Sequence, residues 1–535
     1  MTRPGRRGIV ALAALWVAAL PVAAAGQPAD AGAARLHPPG QVTSPTVEPE
    51  TPAPSKLGTV RTDLSKKDLA RVRAITAPPT DFSRAEAFEA MSGGAATSTK
   101  LPNRSAFSHF SANLSFAEQR DFNLGDGLFR KLWVSSPSST QASDGLGPLF
   151  NARSCQSCHL KDGRGHPPVD GEANTMFFRL ARPATSDAER AALASYVALT
   201  IPDPTYGEQL QDLAVPGLAS EGRMTVEYTE VPVTLGDGST VSLRRPSYGV
   251  DNLAYGPLDP GTTLSPRVTP QMIGMGLIEA IHPADIIGRA DPDDADGDGI
   301  SGRIALRRDG KGELEIGRFG WKAQNARIRE QTAGAFAGDI GISTPDAPYS
   351  HGDCTARQAD CLALPTGVQP RLGTVEAPDP VLDLVTFYSQ NLAVPQRRNV
   401  DRPEVLAGKQ LFQQLGCASC HTPKFVTRRD SEHKAQSFQL IWPYSDFLLH
   451  DMGEGLADGQ TVGAASGTEW RTPPLWGIGL TETVSGHTNF LHDGRARNLT
   501  EAVLWHGGEA QAARDGFAGV DPSERDALLA YLESL

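Results

Sequence analysis

The 535-residue sequence has few cysteines, no excess of basic charge and, after its first segment, no long hydrophobic run. Six cysteines are too few for a small fold held together mainly by disulfides. Lys and Arg number 50 against 62 Asp and Glu, so the net charge is −12 and no basic tract indicates nucleic acid as a partner. The shortage of apolar runs argues against stable membrane insertion.

Glycine and proline, by contrast, are frequent, with 54 and 41 residues. Together with a hydrophobic fraction of 39%, they indicate a globular protein that is rich in loops. At about 100–200 residues per domain, the length predicts two or three domains.

The first 25 residues predict a signal peptide. Three arginines precede an apolar run over residues 9–20, and alanines follow at residues 23–25. This order is typical of export and cleavage near Ala25, whereas a transmembrane anchor would need a longer run. We therefore expect a periplasmic protein.

Two short motifs carry the strongest chemical signal, Cys155-x-x-Cys158-His159 and Cys417-x-x-Cys420-His421. A zinc ribbon would place its cysteine pairs about 15–20 residues apart, which excludes that alternative. A thioredoxin-like catalyst would need a strand before the first cysteine, and the preceding sequence is instead helical. In an exported protein the motif is typical of haem c attachment, in which both thiols bond the haem and the histidine binds iron. The sequence therefore predicts two covalently attached haem c groups.

Helical patterns flank both motifs. Before the second motif, one helix face carries Val405, Gly408, Phe412 and Leu415, and the chain ends in an amphipathic helix from residue 522. A glycine and an aromatic residue four positions apart resemble the first helix of a class I cytochrome c. A looser copy precedes the first motif, with Gly125 and Phe129 and a candidate closing helix at 379–392.

These patterns predict a mainly α fold with two class I cytochrome c-like domains. Residues 26–104, rich in Pro, Ala and Thr, are expected to form a tether. An N-terminal haem domain would span 105–395 and a C-terminal cytochrome domain 396–535. The first domain would hold long loops and β-rich insertions, with strands at 224–233 and 241–244 around a turn at 236–238.

From about residue 105 to residue 535, several strings match those of a known family. They lie at 145–150, 162–165, 276–280, 317–323, 332–336, 448–453, 469–477, 490–496 and 505–510. On these strings the chain resembles the bacterial di-haem oxidoreductase family, also labelled thiol oxidoreductases, which are relatives of the di-haem cytochrome c peroxidases. One departure is His282, which stands before Pro283 where the family usually has proline directly.

The resemblance implies a peroxidase-like periplasmic oxidoreductase. Its C-terminal haem would exchange electrons with a small redox protein, a cytochrome c or a copper protein. Its N-terminal haem would react with a small oxidant such as peroxide. Two alternatives stay open: a non-catalytic di-haem electron-transfer cytochrome, and a di-haem oxygenase or protein-oxidising enzyme. The thiol-oxidoreductase label has little support, because four cysteines are used by haem.

The second axial ligand of each iron decides the chemistry, because a doubly ligated haem transfers electrons and an open face binds oxidants. Aligned with the di-haem peroxidases, His506 falls where they place the distal methionine of the electron-transfer haem. We expect bis-histidine ligation by His421 and His506, with Met452 as the rival. The further candidates downstream of the second motif are His433, His450, His487 and His492.

For the first haem the sequence offers no comparable ligand, so we expect its distal face to be open. The available histidines are His109, His166, His282 and His351. Glu279, in an apolar helix-like run, is the candidate catalytic group for moving a proton on bound peroxide. The alternative for Glu279 is a carboxylate paired with an arginine.

Other residues are weaker candidates. Arg471, Arg495 and Arg497 are expected either to pair with haem propionates or to lie on the surface. A tryptophan between the haems, or simply in the core, is expected among Trp321, Trp476 and Trp505.

Two remaining features predict a cation site and a disulfide. Asp294, Asp296, Asp298 and Gly299 match positions 1, 3, 5 and 6 of an EF-hand loop, although the closing glutamate is missing. The loop is expected to bind Ca²⁺ or to be a solvated acidic turn. Cys354 and Cys361 are expected to close a surface loop by a disulfide rather than to act as a redox pair.

Overall fold

The computed structural model describes residues 57–169 and 174–535. The predicted signal peptide at 1–25 and the first part of the predicted tether, at 26–56, lie outside the described residues. Within the described chain, every helix is too short or too polar to cross a membrane.

Short helices and strands alternate along the described chain. The α-helices are α1 (Lys66–Thr76), α2 (Phe116–Phe129), α3 (Cys155–Cys158), α4 (Asp187–Ala194), α5 (Met275–Glu279), α6 (Pro283–Ile287), α7 (Ile328–Asp339), α8 (Ala359–Leu362), α9 (Asp379–Gln390), α10 (Pro403–Gln414), α11 (Cys417–Cys420), α12 (Thr481–Ser485), α13 (Leu499–Leu504), α14 (Gln511–Gly519) and α15 (Pro522–Ser534). The strands are β1 (Val134–Ser135), β2 (Asp144–Leu146), β3 (Leu149–Phe150), β4 (Met176–Ala181), β5 (Leu213–Ala214), β6 (Arg223–Thr234), β7 (Thr240–Asp251), β8 (Thr263–Val268), β9 (Leu306–Arg308), β10 (Leu314–Ile316), β11 (Phe425–Val426), β12 (Leu440–Ile441), β13 (Leu449–Asp451) and β14 (Glu469–Arg471).

The expectation of a mainly α fold is wrong. The structure is 29% helical and 16% strand, and its described strands pair into small, scattered two-stranded sheets. The longest pairing is the antiparallel hairpin β6–β7, which runs in register from Arg223 opposite Asp251 to Thr234 opposite Thr240. The reason is that long connections between helices must satisfy their backbone N–H and C=O groups, and short strand pairs do so locally. The expected hairpin at 224–244 is thus present and longer than predicted.

Two helix pairs show the predicted crossing of a glycine and an aromatic residue. In the pair α2–α9, a Cβ on Gly125 would lie 2.2 Å from the Leu384 carbonyl oxygen. In the pair α10–α15, a Cβ on Gly408 would lie 2.0 Å from the Ala527 carbonyl oxygen, and the Phe412 and Tyr531 rings are 5.2 Å apart. Only glycine allows the backbones to approach this closely.

Sequence signals at the helix starts account for where these helices begin. Ser115 and Glu118 form a capping box at α2, in which each side chain accepts a hydrogen bond from the backbone of the other. Asp521 and Glu524 form the same arrangement at α15, with Pro522 at its first position.

The hairpin β6–β7 joins the first half of the chain to the last hundred residues. At its tip, Gly236 N–H donates to the Ala518 carbonyl (2.8 Å). Further along, Arg244 Nε donates to the Arg495 carbonyl (2.8 Å) and Tyr248 Oη donates to Asp493 (2.7 Å). The described residues pack as one unit, and the domain boundary at residue 395 stays a prediction.

The expectation of a tether is wrong for residues 57–104. Arg61 lies buried between Asp63 (2.8 Å) and Asp285 (2.5 Å) and donates to the Val426 carbonyl (3.0 Å). Glu89, 1% exposed, pairs with Arg397 at 2.5 Å and is bonded to Lys409 at 2.7 Å. A composition rich in small residues did not reveal these ion pairs, since all of them except Arg61–Asp63 join positions more than 200 residues apart in the chain.

Replacing Gly125 by alanine should destabilise the protein by about 1–3 kcal/mol, because the new methyl group would overlap the α9 backbone. Gly127 is the matched control, since it lies on the same helix with no atom within 4 Å of its ideal Cβ. Gly127→Ala should be stabilising by about 0.5–1 kcal/mol. Chemical denaturation followed by far-ultraviolet circular dichroism measures both, and equal effects would contradict the close helix crossing.

Candidate functional site

The first motif forms one helical turn, α3, and presents its side chains to a cavity. Cys155, Cys158 and His159 all line this cavity. His159 Nδ1 lies 3.1 Å from the Pro270 carbonyl, which fixes Nδ1 as the protonated nitrogen and leaves Nε2 as a lone-pair donor. Burial lowers the pKa of His159 to about 4, so the ring is neutral and able to bind a metal at neutral pH.

The second motif repeats this arrangement in α11. Cys417, Cys420 and His421 line the same cavity, and His421 Nδ1 lies 3.0 Å from the Tyr444 carbonyl. Burial lowers the pKa of His421 to about 4 as well. Buried surroundings also raise the pKa of the Cys155 and Cys417 thiols to about 12, the reverse of what a thioredoxin-like nucleophile requires.

His506 lies on the cavity wall immediately after α13. Its Nδ1 contacts the Ala502 carbonyl at 2.7 Å, so that Nε2 is again the nitrogen left for a ligand. Burial lowers the pKa of His506 as it does that of His421, and both rings line the same cavity. The structure therefore brings together both histidines predicted for the second haem, although Met452 lines the cavity too.

Of the other downstream histidines, His450 and His492 also line the cavity, and the buried Nε2 of His492 has no hydrogen-bond partner in the described chain. His450 is bonded through both nitrogens, to Asp446 at 2.8 Å and to Glu509 at 2.6 Å. His492 lies flat on Trp470, with ring centroids 3.8 Å apart. Within the described chain, His433 and His487 do not line the cavity.

Of the four histidines considered for the first haem, none belongs to the described cavity wall. His282 caps α6 by accepting from Ala284 N–H (3.1 Å), and His351 Nε2 contacts the Leu364 carbonyl (2.9 Å). His109 lies beside Lys100, and His166 packs edge-on against the His487 ring. The wall instead offers the amides Gln324 and Gln331 and the thioethers Met272 and Met275.

The carboxylate of Glu279, the candidate for moving a proton on bound peroxide, is bonded at a helix start, and its catalytic role stays a prediction. Oε1 accepts from Ile328 N–H at the beginning of α7 (2.9 Å), and Oε2 accepts from Gln390 Nε2 (2.6 Å). Glu279 is absent from the described cavity wall. An acid in an apolar run signals a buried partner, and here the partners are a helix N-terminus and an amide.

All three tryptophans are buried in the core, which is one of the two alternatives expected for them, and the arginines divide between the cavity and ion pairs within the chain. Arg495 pairs with Asp493 (2.7 Å) and Arg497 with Glu501 (2.8 Å), and neither reaches the cavity. Arg471 does line it, together with Arg164, Arg267 and Arg318, which sequence reasoning missed although Arg164 and Arg318 lie inside the recognised strings. Of the three tryptophans, Trp321 lines the cavity, and Trp470 is a further one.

The acidic loop differs in one member from the expected set. Carboxylate oxygens of Asp291, Asp294 and Asp296 lie within 4.8 Å of one another, whereas Asp298 turns away and accepts from Ile300 N–H (2.9 Å). Calcium binding stays a prediction. Elsewhere, Cys354 and Cys361 are joined by the expected disulfide.

Two matching sets of thiols and imidazole thus face one cavity of about 600 Å³. This donor set suits haem, since each set offers two thiols for the macrocycle and one Nε2 for the iron. Such a site defines a protein that holds two haems.

The comparison with family models agrees with this class. Residues 87–535 match the family described as "di-haem oxidoreductase, putative peroxidase", and the chain belongs to this di-haem oxidoreductase family. A search of curated proteins finds no match.

Replacing His506 by alanine should convert the second haem from a low-spin to a high-spin ferric form, because one strong axial ligand is lost. Absorption and electron paramagnetic resonance spectra of the purified holoprotein measure this change. Met452→Leu is the control and should leave the low-spin signal intact. A low-spin signal that survives in His506→Ala and disappears in Met452→Leu would assign the ligand to Met452.

Proposed function

We propose that this chain is an exported, periplasmic di-haem c-type oxidoreductase that reduces a small oxidant such as peroxide at its first haem. The second haem would receive electrons from a small redox protein, a cytochrome c or a copper protein. The observation that carries the proposal is the pair of Cys-x-x-Cys-His sets on one cavity wall. Export is supported by the signal-peptide pattern of residues 1–25 and by thiol pairs spaced for covalent attachment.

The two sites differ in what they offer the second face of the iron. At the second site His421 and His506 have their Nδ1 atoms on backbone carbonyls, so both rings present Nε2. Two imidazoles hold iron in a six-coordinate state that changes little on reduction, which suits electron transfer.

At the first site the cavity wall is formed by one face of α7, through Ile328, Gln331, Thr332 and Ala335. Gln331 Oε1 accepts from Asn325 Nδ2 (2.9 Å), which orients the amide and leaves its Nε2–H₂ group as a donor toward the cavity. An amide binds iron weakly but can hydrogen-bond a small oxidant. Haem supplies the redox chemistry, while Gln331 and Thr332 would orient the oxidant on this face of α7.

A second candidate is a non-catalytic electron-transfer cytochrome, favoured by Met272 and Met275. Their thioethers line the same cavity, and a methionine ligand would close the face of the first haem. Ferric spectra separate the two: a high-spin component that shifts on adding cyanide supports the enzyme, and two low-spin haems inert to peroxide support the carrier.

Replacing Cys155 and Cys158 together by alanine should remove one covalent haem and abolish peroxide reduction, because the first site loses both attachment points. The pair Cys417→Ala and Cys420→Ala should also remove one haem, and should stop electron uptake from a reduced partner cytochrome. Haem content is measured by the pyridine haemochrome assay, and turnover by oxidation of that cytochrome.

The matched control replaces Cys354 and Cys361 by serine, since this pair lies outside the described cavity wall. It should keep two haems per chain and full turnover. Absence of haem c from wild-type protein, or peroxide turnover that survives loss of the first cysteine pair, would refute the proposal.

A further inference from the structure

Four buried arginines line the di-haem cavity from widely separated parts of the chain. Arg164 follows the first motif, Arg267 lies in β8, Arg318 precedes Trp321, and Arg471 ends β14. They are 9%, 3%, 6% and 7% exposed, and burial lowers the pKa of each to about 10. At neutral pH all four side chains are still cations.

The hydrogen-bond partners of these guanidinium groups are neutral. Arg164, Arg318 and Arg471 donate to backbone carbonyls, namely those of Asn489, Leu491, Ile278, Glu279, Ile281, Gly320 and Thr472. Arg267 donates to Ser265 Oγ (3.0 Å) and Gln460 Oε1 (3.1 Å). The nearest carboxylate to Arg267, that of Asp458, is 3.8 Å away and already bonded to Lys322 (2.8 Å).

Each of the four also keeps a terminal nitrogen without a hydrogen bond to any described residue. These are Nη1 of Arg164 and Arg267 and Nη2 of Arg318 and Arg471. The side chains therefore reach the cavity without a hydrogen-bonded carboxylate and with an unused donor.

Buried arginines outside the cavity wall behave differently. Arg61, Arg397, Arg495 and Arg525 are equally buried, and each is bonded to a carboxylate, that of Asp63, Glu89, Asp493 and Asp237 respectively. The chain thus hydrogen-bonds a carboxylate to each of these four and to none of the four at the cavity, where the one ion pair is the longer Arg267–Asp458 contact at 3.8 Å. A buried cation without an anion is costly, so the contrast points to an anion that comes with the cavity's occupant.

We propose that Arg164, Arg267, Arg318 and Arg471 bind the propionate carboxylates of the two haems. This inference rests on the proposed function, because two haems bring four propionates into the cavity. A guanidinium group matches a carboxylate with paired N–H donors, and the terminal nitrogens left over provide such donors. Oxidised haem carries one more positive charge than reduced haem, so nearby arginines favour the reduced form and raise its midpoint potential.

Each arginine is replaced singly by glutamine, and the two haem midpoint potentials are measured by spectroelectrochemistry at about pH 8, where a carboxylate stays ionised. The expected result is a shift of at least one haem to lower potential in each variant, without added substrate. Arg308→Gln is the matched control, because Arg308 also donates to backbone carbonyls, those of Ser195 (2.5 Å) and Gly312 (2.6 Å), but lies outside the described cavity wall. It should leave both potentials unchanged.

Where a glutamine variant does not fold with both haems, the lysine variant at the same position is measured in its place. Lysine keeps the charge but loses the paired donors, so the propionate bending band in resonance Raman spectra should shift, whereas Arg308→Lys should leave it unchanged. The haem content of the wild-type protein is measured first, and absence of haem c from it refutes the proposed function. Haem-loaded variants with unchanged potentials and unchanged bands would overturn the inference. The same result is expected if the arginines bind an anionic substrate and not the propionates.

Discussion

Three hydrogen bonds between a histidine Nδ1 and a backbone carbonyl orient the groups on which the site depends. The carbonyls belong to Pro270, Tyr444 and Ala502, and the rings to the two motif histidines and His506. Each bond selects the tautomer that carries its proton on Nδ1, so that Nε2 keeps its lone pair for iron. The helices and loops around the cavity have to hold these carbonyls in place, because a rotated ring could not serve as an axial ligand.

The core of this protein is arranged around a space that its own side chains leave open. Aromatic and aliphatic residues such as Phe129, Ile278 and Phe412 face the cavity beside the motif cysteines. In most proteins such surfaces meet one another and gain dispersion and hydrophobic energy. Here a haem supplies the missing contacts. The same space explains why cations lie on its wall without carboxylates from the chain: the charge balance, like the packing, is completed by the cofactor.

Contacts between distant segments hold the two sites on one cavity. The hairpin β6–β7 is hydrogen-bonded to residues 493–495, which precede α13 and His506. Residues 57–104 contact the second half of the chain through buried ion pairs. Breaking a buried pair leaves an uncompensated charge, so these contacts make the relative position of the halves costly to change. A fixed position matters for electron transfer between two haems, which must remain at a constant separation.

The sequence by itself determined the two Cys-x-x-Cys-His motifs, the family and the glycine–aromatic helix crossings, because these depend on residues a few positions apart in a regular repeat. It also led to His506 through a recognised string. Only the tertiary structure decided the partners of Glu279, the partners of Arg495 and Arg497, and the packing of residues 57–104. The mixed secondary structure also emerged only there. For Glu279 and residues 57–104 the deciding partners lie far away in the chain, and burial of a charge is set by those partners and not by local pattern. Asp493 and Glu501 lie close in the chain to Arg495 and Arg497, but the local pattern did not show that these carboxylates, and not a haem, would pair with the two guanidinium groups.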